Sequence, residues 1–241
     1  MTTIAERLQA VQAYIRAAEH KAGRQTNAVT LLAVSKAQPA ALLREAYAAG
    51  QRLFGENYLQ EALNKQATLT DLAIEWHFIG PIQSNKTQLI AQNFAWVHGV
   101  DRLKIAERLN TARPEHLPPL QVCIQVNVSQ EASKSGVLAE GLGLLASQIA
   151  LLPRLKLRGL MAIPAPRSNN IQQHEPFKLV HELQLKLIQQ GLALDTLSMG
   201  MSGDFSAAIA EGATIVRIGT AIFGARTSNT SELTQPNWTE I

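Results

Sequence analysis

Eight short β-rich runs, each with a helical candidate before most of its neighbours, constrain this chain more than any other feature. They are VTLLAVSK from 29, RLFGEN from 52, IEWHFIG from 74, FAWVHGV from 94, LQVCIQVNV from 120, LKLRGLMAI from 155, LDTLSMG from 194 and ATIVRIGTAIF from 213. Strands that alternate with helices pair in parallel, because the helix carries the chain back to the end of the sheet where it started. Eight such units favour closure into an α/β fold of the (β/α)8 or TIM-barrel type, and 241 residues is a usual length for one. An open doubly wound sheet would carry a glycine-rich GxGxxG turn after its first strand. Here that strand runs into SKAQP instead.

Helix punctuation agrees with this alternation. Pro39 opens a helix closed by Gly50, Asp101 is placed to cap RLKIAERLN, and the segment around Phe177 to Gln190 ends at Gly191. The third unit is the weakest, with one or two turns expected in SNKTQLIAQ. Ahead of the first strand, Ile4, Leu8, Val11 and Ile15 fall on one helical face, and Thr3 and Glu6 have capping-box spacing. The expected architecture is a single barrel domain over residues 1–226 with an extra N-terminal helix. Residues 227–241 are polar and aperiodic and read as a flexible tail.

Charge and composition remove several function classes. A net charge of +3 is small for this length, and its lysines and arginines are scattered rather than striped, which argues against nucleic-acid binding. No apolar stretch approaches a membrane span, and the charged start MTTIAERLQAVQAYIRAAEHKAG does not read as a signal peptide. Cys123 is the one cysteine, so no intrachain disulfide forms, and a reducing cytoplasm is the compatible and expected setting. No histidine or cysteine pairing gives metal-ligand spacing, so no metal is expected.

In such a barrel the chemistry sits at the carboxyl ends of the strands. Strand one delivers Lys36 there. The plainer reading is a solvated lysine, but an amine in a partly desolvated pocket favours its neutral form, and only that form attacks a carbonyl to make a Schiff base. The stretch SMGMSGDFSAAI, followed by Arg217, Gly219 and Thr220, offers hydroxyls of Ser198 and Ser202 and backbone N–H groups around an anion. Turn chemistry with Ser202 as an N-cap is the alternative. Arg217 sits in an apolar strand and needs a partner, a structural salt bridge being the bland one. His77 reads first as a satisfied core histidine, Met161 as core filling and Asn57 as a helix N-cap. A lysine and a phosphate cradle in one mouth nevertheless describe a site for a phosphorylated aldehyde.

The segments LLAVSKAQP, FGENYLQEALNK, WHFIGPIQSNK, GLMAI, SMGMSGDFSAAI and VRIGTAIFG span residues 31 to 224. In content and order they resemble the signatures of the pyridoxal phosphate homeostasis proteins, the YggS or PROSC family. That resemblance implies a barrel similar to the alanine racemase N-terminal domain, with pyridoxal 5′-phosphate (PLP) held covalently on Lys36. It also implies that Ser198, Ser202, Gly219 and Thr220 take the phosphate and that Arg217 faces the pyridine nitrogen. Asn57, His77, Met161 and Met199 would line the ring pocket. The MSGD pattern varies within the family, so that loop is the part least transferable residue by residue.

Arginine only donates hydrogen bonds, so the pyridine nitrogen opposite it would be an unprotonated acceptor and the ring a weak electron sink. Alanine racemase-like enzymes add a β-rich domain and a partner-subunit tyrosine, and fewer than about twenty residues follow Phe223 here. Of Tyr14, Tyr47 and Tyr58, only Tyr58 stands near the expected mouth. The expectation is therefore a non-enzymatic monomer that buffers PLP, and passes it to PLP-dependent client enzymes, with indirect effects on amino-acid and keto-acid balance. The rival is a racemase-like PLP enzyme. An aldolase-type Schiff-base enzyme on sugar phosphates and a pure interaction protein are more distant alternatives.

Overall fold

The computed structural model describes residues 2–129, 135–165 and 170–224, with the side chains of 170 and 171 left aside. The tail expected over 227–241 lies outside these residues. All eight expected runs are strands: β1 (Thr30–Val34), β2 (Leu53–Glu56), β3 (Glu75–Phe78), β4 (Trp96–Val100), β5 (Leu120–Gln125), β6 (Leu155–Met161), β7 (Thr196–Ser198) and β8 (Ile215–Ile218). They form a closed parallel barrel in chain order, sealed where Thr30 to Ala33 of β1 pair with Ile215 to Ile218 of β8.

The helices are α1 (Ile4–Lys21), α2 (Ala40–Ala48), α3 (Leu59–Thr68), α4 (Thr87–Asn93), α5 (Leu103–Ala112), α6 (Ala139–Ala150), α7 (Asn170–Gln189), α8 (Phe205–Ala210) and α9 (Thr220–Phe223). The third unit is indeed short, a 3₁₀ turn at Ser84–Lys86 leading into α4. Four details depart from expectation. Arg102 rather than Asp101 occupies the N-cap of α5, because the Asp101 carboxylate is paired with Arg102 at 2.8 Å. Tyr58, not Asn57, is the N-cap of α3, and Asp204, not Ser202, that of α8. The run from 213 leaves the sheet after Ile218 and turns into α9.

The first helix has a definite place in the ring. The helix of the eighth unit, α9, is one turn long and cannot cover its sector of the sheet. α1 packs against α8, α9 and α2 and fills that sector, burying Ile4, Leu8, Val11 and Ile15. Its entry is set by the capping box, with Thr3 Oγ1 accepting from the Glu6 amide at 3.2 Å and Glu6 returning a bond to the Thr3 amide at 2.8 Å.

Strand alternation divides the interior from the helix layer. On β1, Ala33 and Leu31 join the large helix-side core, whereas Leu32 and Val34 pack inside with Leu53, Ile79 and Ile215. Trp96, Cys123 and Met161 fill another part of the interior. On β6, a Cβ at Gly159 would overlap the Thr196 carbonyl, so only glycine lets β6 and β7 approach at this point, where the β5–β6 register also shifts.

Candidate functional site

The same alternation that puts Leu32 and Val34 inside carries Lys36 to the mouth. A cavity of about 280 Å³ opens there, at the carboxyl ends of the strands. Six of the residues singled out from sequence line it together: Lys36, Asn57, Ser202, Arg217, Gly219 and Thr220. Gly80 makes the close approach beneath Asn57 possible, since a Cβ there would overlap the Asn57 backbone carbonyl.

The backbone on either side of Lys36 is clamped by a buried ionic cluster that sequence reading did not single out. Lys65 of α3 donates to Glu56 and Ser35 O at 2.7 Å each and to Glu61 at 2.5 Å. Ser35 Oγ donates to Glu56 at 2.6 Å, and the Ala37 amide donates to Glu61 at 2.6 Å. Ala37 is thereby held at φ 58°, a left-handed conformation unusual for alanine. Burial pushes the Glu56 carboxyl up, against the lowering effect of the Lys65 ammonium and its hydrogen bond. The legible signal was the Glu61 to Lys65 spacing on a helix, together with a carboxylate ending an apolar strand.

Arg217 is buried, and its bonding partners are neutral: Ser198 O at 2.5 Å, Ser198 Oγ at 2.9 Å and Ala162 O at 2.9 Å. The expected bland partner, a carboxylate salt bridge, is replaced by carbonyls and a hydroxyl. Burial lowers its pKa to about 10, with Asp204 and Cys123 opposing. That is about three units above neutral pH, so the guanidinium stays charged. A cation held by neutral groups at a cavity wall suits a ligand that presents acceptors or negative charge.

His77, Met161, Ser198 and Met199 are not among the cavity-lining residues. His77 is fully buried, 2.9 Å from both His98 and Glu75, and stacks on Trp96. Ser198 Oγ is engaged by His98 at 2.7 Å and by Arg217, inside the barrel rather than at the mouth. Met161 packs with Trp96 and Cys123, and Met199 lies in the helix-side core. The left-handed Gly200, at φ 94°, lies between Met199 and Met201, and it is Met201 that reaches the cavity. No tyrosine lines the cavity among the described residues, and Tyr58 is 58% exposed. No cluster of three metal-ligating side chains occurs among them, and no described helix is long and apolar enough to cross a membrane.

The residues present fit a phosphorylated aromatic aldehyde. Asn57 Oδ1 is buried without a hydrogen-bond partner among the described residues, a cost that a ligand donor would remove. Ser202 and Thr220 bring hydroxyls, and Gly203 and Gly219 bring backbone, to the same cavity as the Lys36 amine.

Comparison with known proteins identifies the fold and the family. The family model for the alanine racemase N-terminal domain matches residues 7–227. A pyridoxal phosphate homeostasis protein of Pseudomonas aeruginosa is 63% identical over 226 residues, covering 94% of this chain and 97% of that protein. Among solved structures, PipY of Synechococcus elongatus PCC7942 with PLP bound is 40% identical with a TM-score of 0.82, covering 92% of this chain and 100% of PipY. Alanine racemase of Corynebacterium glutamicum shares the fold at 21% identity and a TM-score of 0.65, over 93% of this chain but 63% of the racemase. The chain belongs to the pyridoxal phosphate homeostasis protein family, built on the barrel of the alanine racemase N-terminal domain.

Proposed function

We propose that this chain binds PLP through a Schiff base on Lys36 and serves to hold and buffer the cofactor rather than to turn over a substrate. The observation that carries this reading is the convergence of Lys36, Arg217 and the Ser202–Gly203 and Gly219–Thr220 segments on one cavity. Bound there, PLP supplies a reactive aldehyde that a neutral lysine amine can capture reversibly. Ser202, Gly219 and Thr220 would take its phosphate and Arg217 would face its ring nitrogen, with Asn57 Oδ1 accepting from the ligand.

Two features support a carrier over a racemase-like enzyme. An arginine that can only donate leaves the ring nitrogen unprotonated, which weakens carbanion stabilisation. The second acid-base group that racemisation needs has no tyrosine candidate on the described cavity wall. Client PLP-dependent enzymes, and through them amino-acid and keto-acid pools, would be the downstream targets of a cytoplasmic monomer.

Purified protein is expected to be yellow, and borohydride followed by peptide mass spectrometry should place the reduced adduct on Lys36. Lys36→Ala should abolish that adduct while lowering the melting temperature by no more than cofactor loss accounts for. A protein that PLP cannot colour would remove the cofactor assignment. Deuterium wash-in at Cα of D- or L-alanine would instead establish the racemase reading.

A further inference from the structure

A continuous line of hydrogen bonds runs inside the barrel from its amino-terminal face to the cavity. Glu75 Oε1 lies 2.9 Å from His77 Nε2, and His77 Nδ1 lies 2.9 Å from His98 Nε2. His98 Nδ1 is 2.7 Å from Ser198 Oγ, which is 2.9 Å from Arg217 Nη1. Three of the four bonds join different strands, since the residues come from β3, β4, β7 and β8.

The direction of every bond follows from the two ends. A guanidinium can only donate, so Ser198 Oγ accepts from Arg217 and gives its single proton to His98 Nδ1. His98 then donates from Nε2 to His77 Nδ1, and His77 donates from Nε2 to Glu75. Starting from the Glu75 carboxylate, which only accepts, yields the same assignment. Both imidazoles are neutral and protonated on Nε2, and no donor or acceptor along the line is mismatched.

The surrounding charges favour that state. His98 faces His77, Ser198 and Arg217, so a proton on it would set a second buried cation beside the guanidinium. Burial holds His98 well below its ordinary pKa, with His77 and Arg217 adding to the effect. Burial also lowers His77, against the raising influence of Glu75. Arg158 and the Trp96 indole face Glu75, while Asp204 and Cys123 act on Arg217. The Cys123 thiol is pushed up to about 12 by burial and stays neutral.

We propose that Glu75, His77, His98 and Ser198 are positioning residues whose directed chain fixes the Arg217 guanidinium at the cavity wall from the opposite end of the barrel. The consequence for a ligand rests on the reading that the cavity holds PLP. Ser198 then acts behind Arg217 instead of on the phosphate, because its proton is already committed to His98.

Nitrogen-resolved NMR of the ligand-free protein tests the chain independently of PLP. Two imidazoles should be neutral with Nε2 protonated at about pH 7.5, and any titration they show should lie below that of an ordinary histidine. A proton on Nδ1 of either ring, or ordinary titration, would overturn the assignment. Ser198→Ala should speed exchange of the Arg217 guanidinium protons about tenfold in the same ligand-free protein, and Ser198→Thr, which keeps the hydroxyl, should restore it. Unchanged exchange in Ser198→Ala would sink the positioning role. If the wild type takes up no PLP while these results hold, the chain stands and the cofactor reading fails.

Discussion

Lys65 is 5% exposed and is paired with two carboxylates at once, so its removal tests how the Lys36 segment is held. Lys65→Met should lower stability by about 3–5 kcal/mol in urea unfolding, the usual consequence of stranding a buried charge. The carboxyl left behind, Glu56, already has a raised pKa from burial, and losing the ammonium raises it further. Native Glu56 then binds its proton more readily than the unfolded chain does, and the deficit should shrink as pH falls below that raised value. A loss that is equal at roughly pH 8 and pH 5 would mean that Glu56 is not the stranded group. The sequence offers only the Glu61 to Lys65 spacing and a carboxylate ending an apolar run, and neither of these joins Glu56 to Lys65. Only the packing of α3 on β1 and β2 brings them together with Ser35 and Glu61. Arg217 shows the converse: an arginine inside IVRIG demanded a partner from sequence alone, but which partner was open. The carbonyls of Ala162 and Ser198 come from strands about 20 to 55 residues away, beyond any local pattern.

At the scale of elements, α1 does the work of the eighth barrel helix, so its buried stripe should behave as core. Leu8→Ala is expected to cost about 2–5 kcal/mol by denaturant titration, since Leu8 is 1% exposed on the buried stripe of α1. Tyr14→Ala, on the solvent face of the same helix at 66% exposure, should change stability by less than about 0.5 kcal/mol. Equal effects would show that α1 is not packed as described. The strands and most helices were legible because hydrophobic period and Gly or Pro punctuation are local properties. Cap positions slipped by one residue at α3 and α5 for an equally local reason. Asn57 has its side chain at the cavity and Asp101 has its carboxylate on Arg102, so neither caps its helix.

For the whole molecule, two fully buried histidines set a pH limit on stability. Burial lowers both pKa values from the ordinary 6.5, so below that value the unfolded chain binds protons that the native barrel refuses. Stability should therefore fall as pH drops through about 6.5, by about 1.4 kcal/mol per pH unit for each histidine that stays neutral. Urea midpoints at roughly pH 7.5 and 5.5 measure this slope, and His98→Gln should flatten it. A slope unaffected by that change would show that His98 does not carry it. The sequence alone determined the barrel class, since eight strand signals in alternation with helices admit few closures. It also pointed to one mouth for the strand-end residues, and Lys36, Asn57, Ser202, Arg217, Gly219 and Thr220 do line one cavity. Which of His77, Met161, Ser198 and Met199 would join them was decided only by tertiary structure. Inside a barrel a side chain's depth depends on strand register and on neighbours from other strands. His77 found His98 and Glu75, and Ser198 found His98 and Arg217, through contacts that no local pattern specifies.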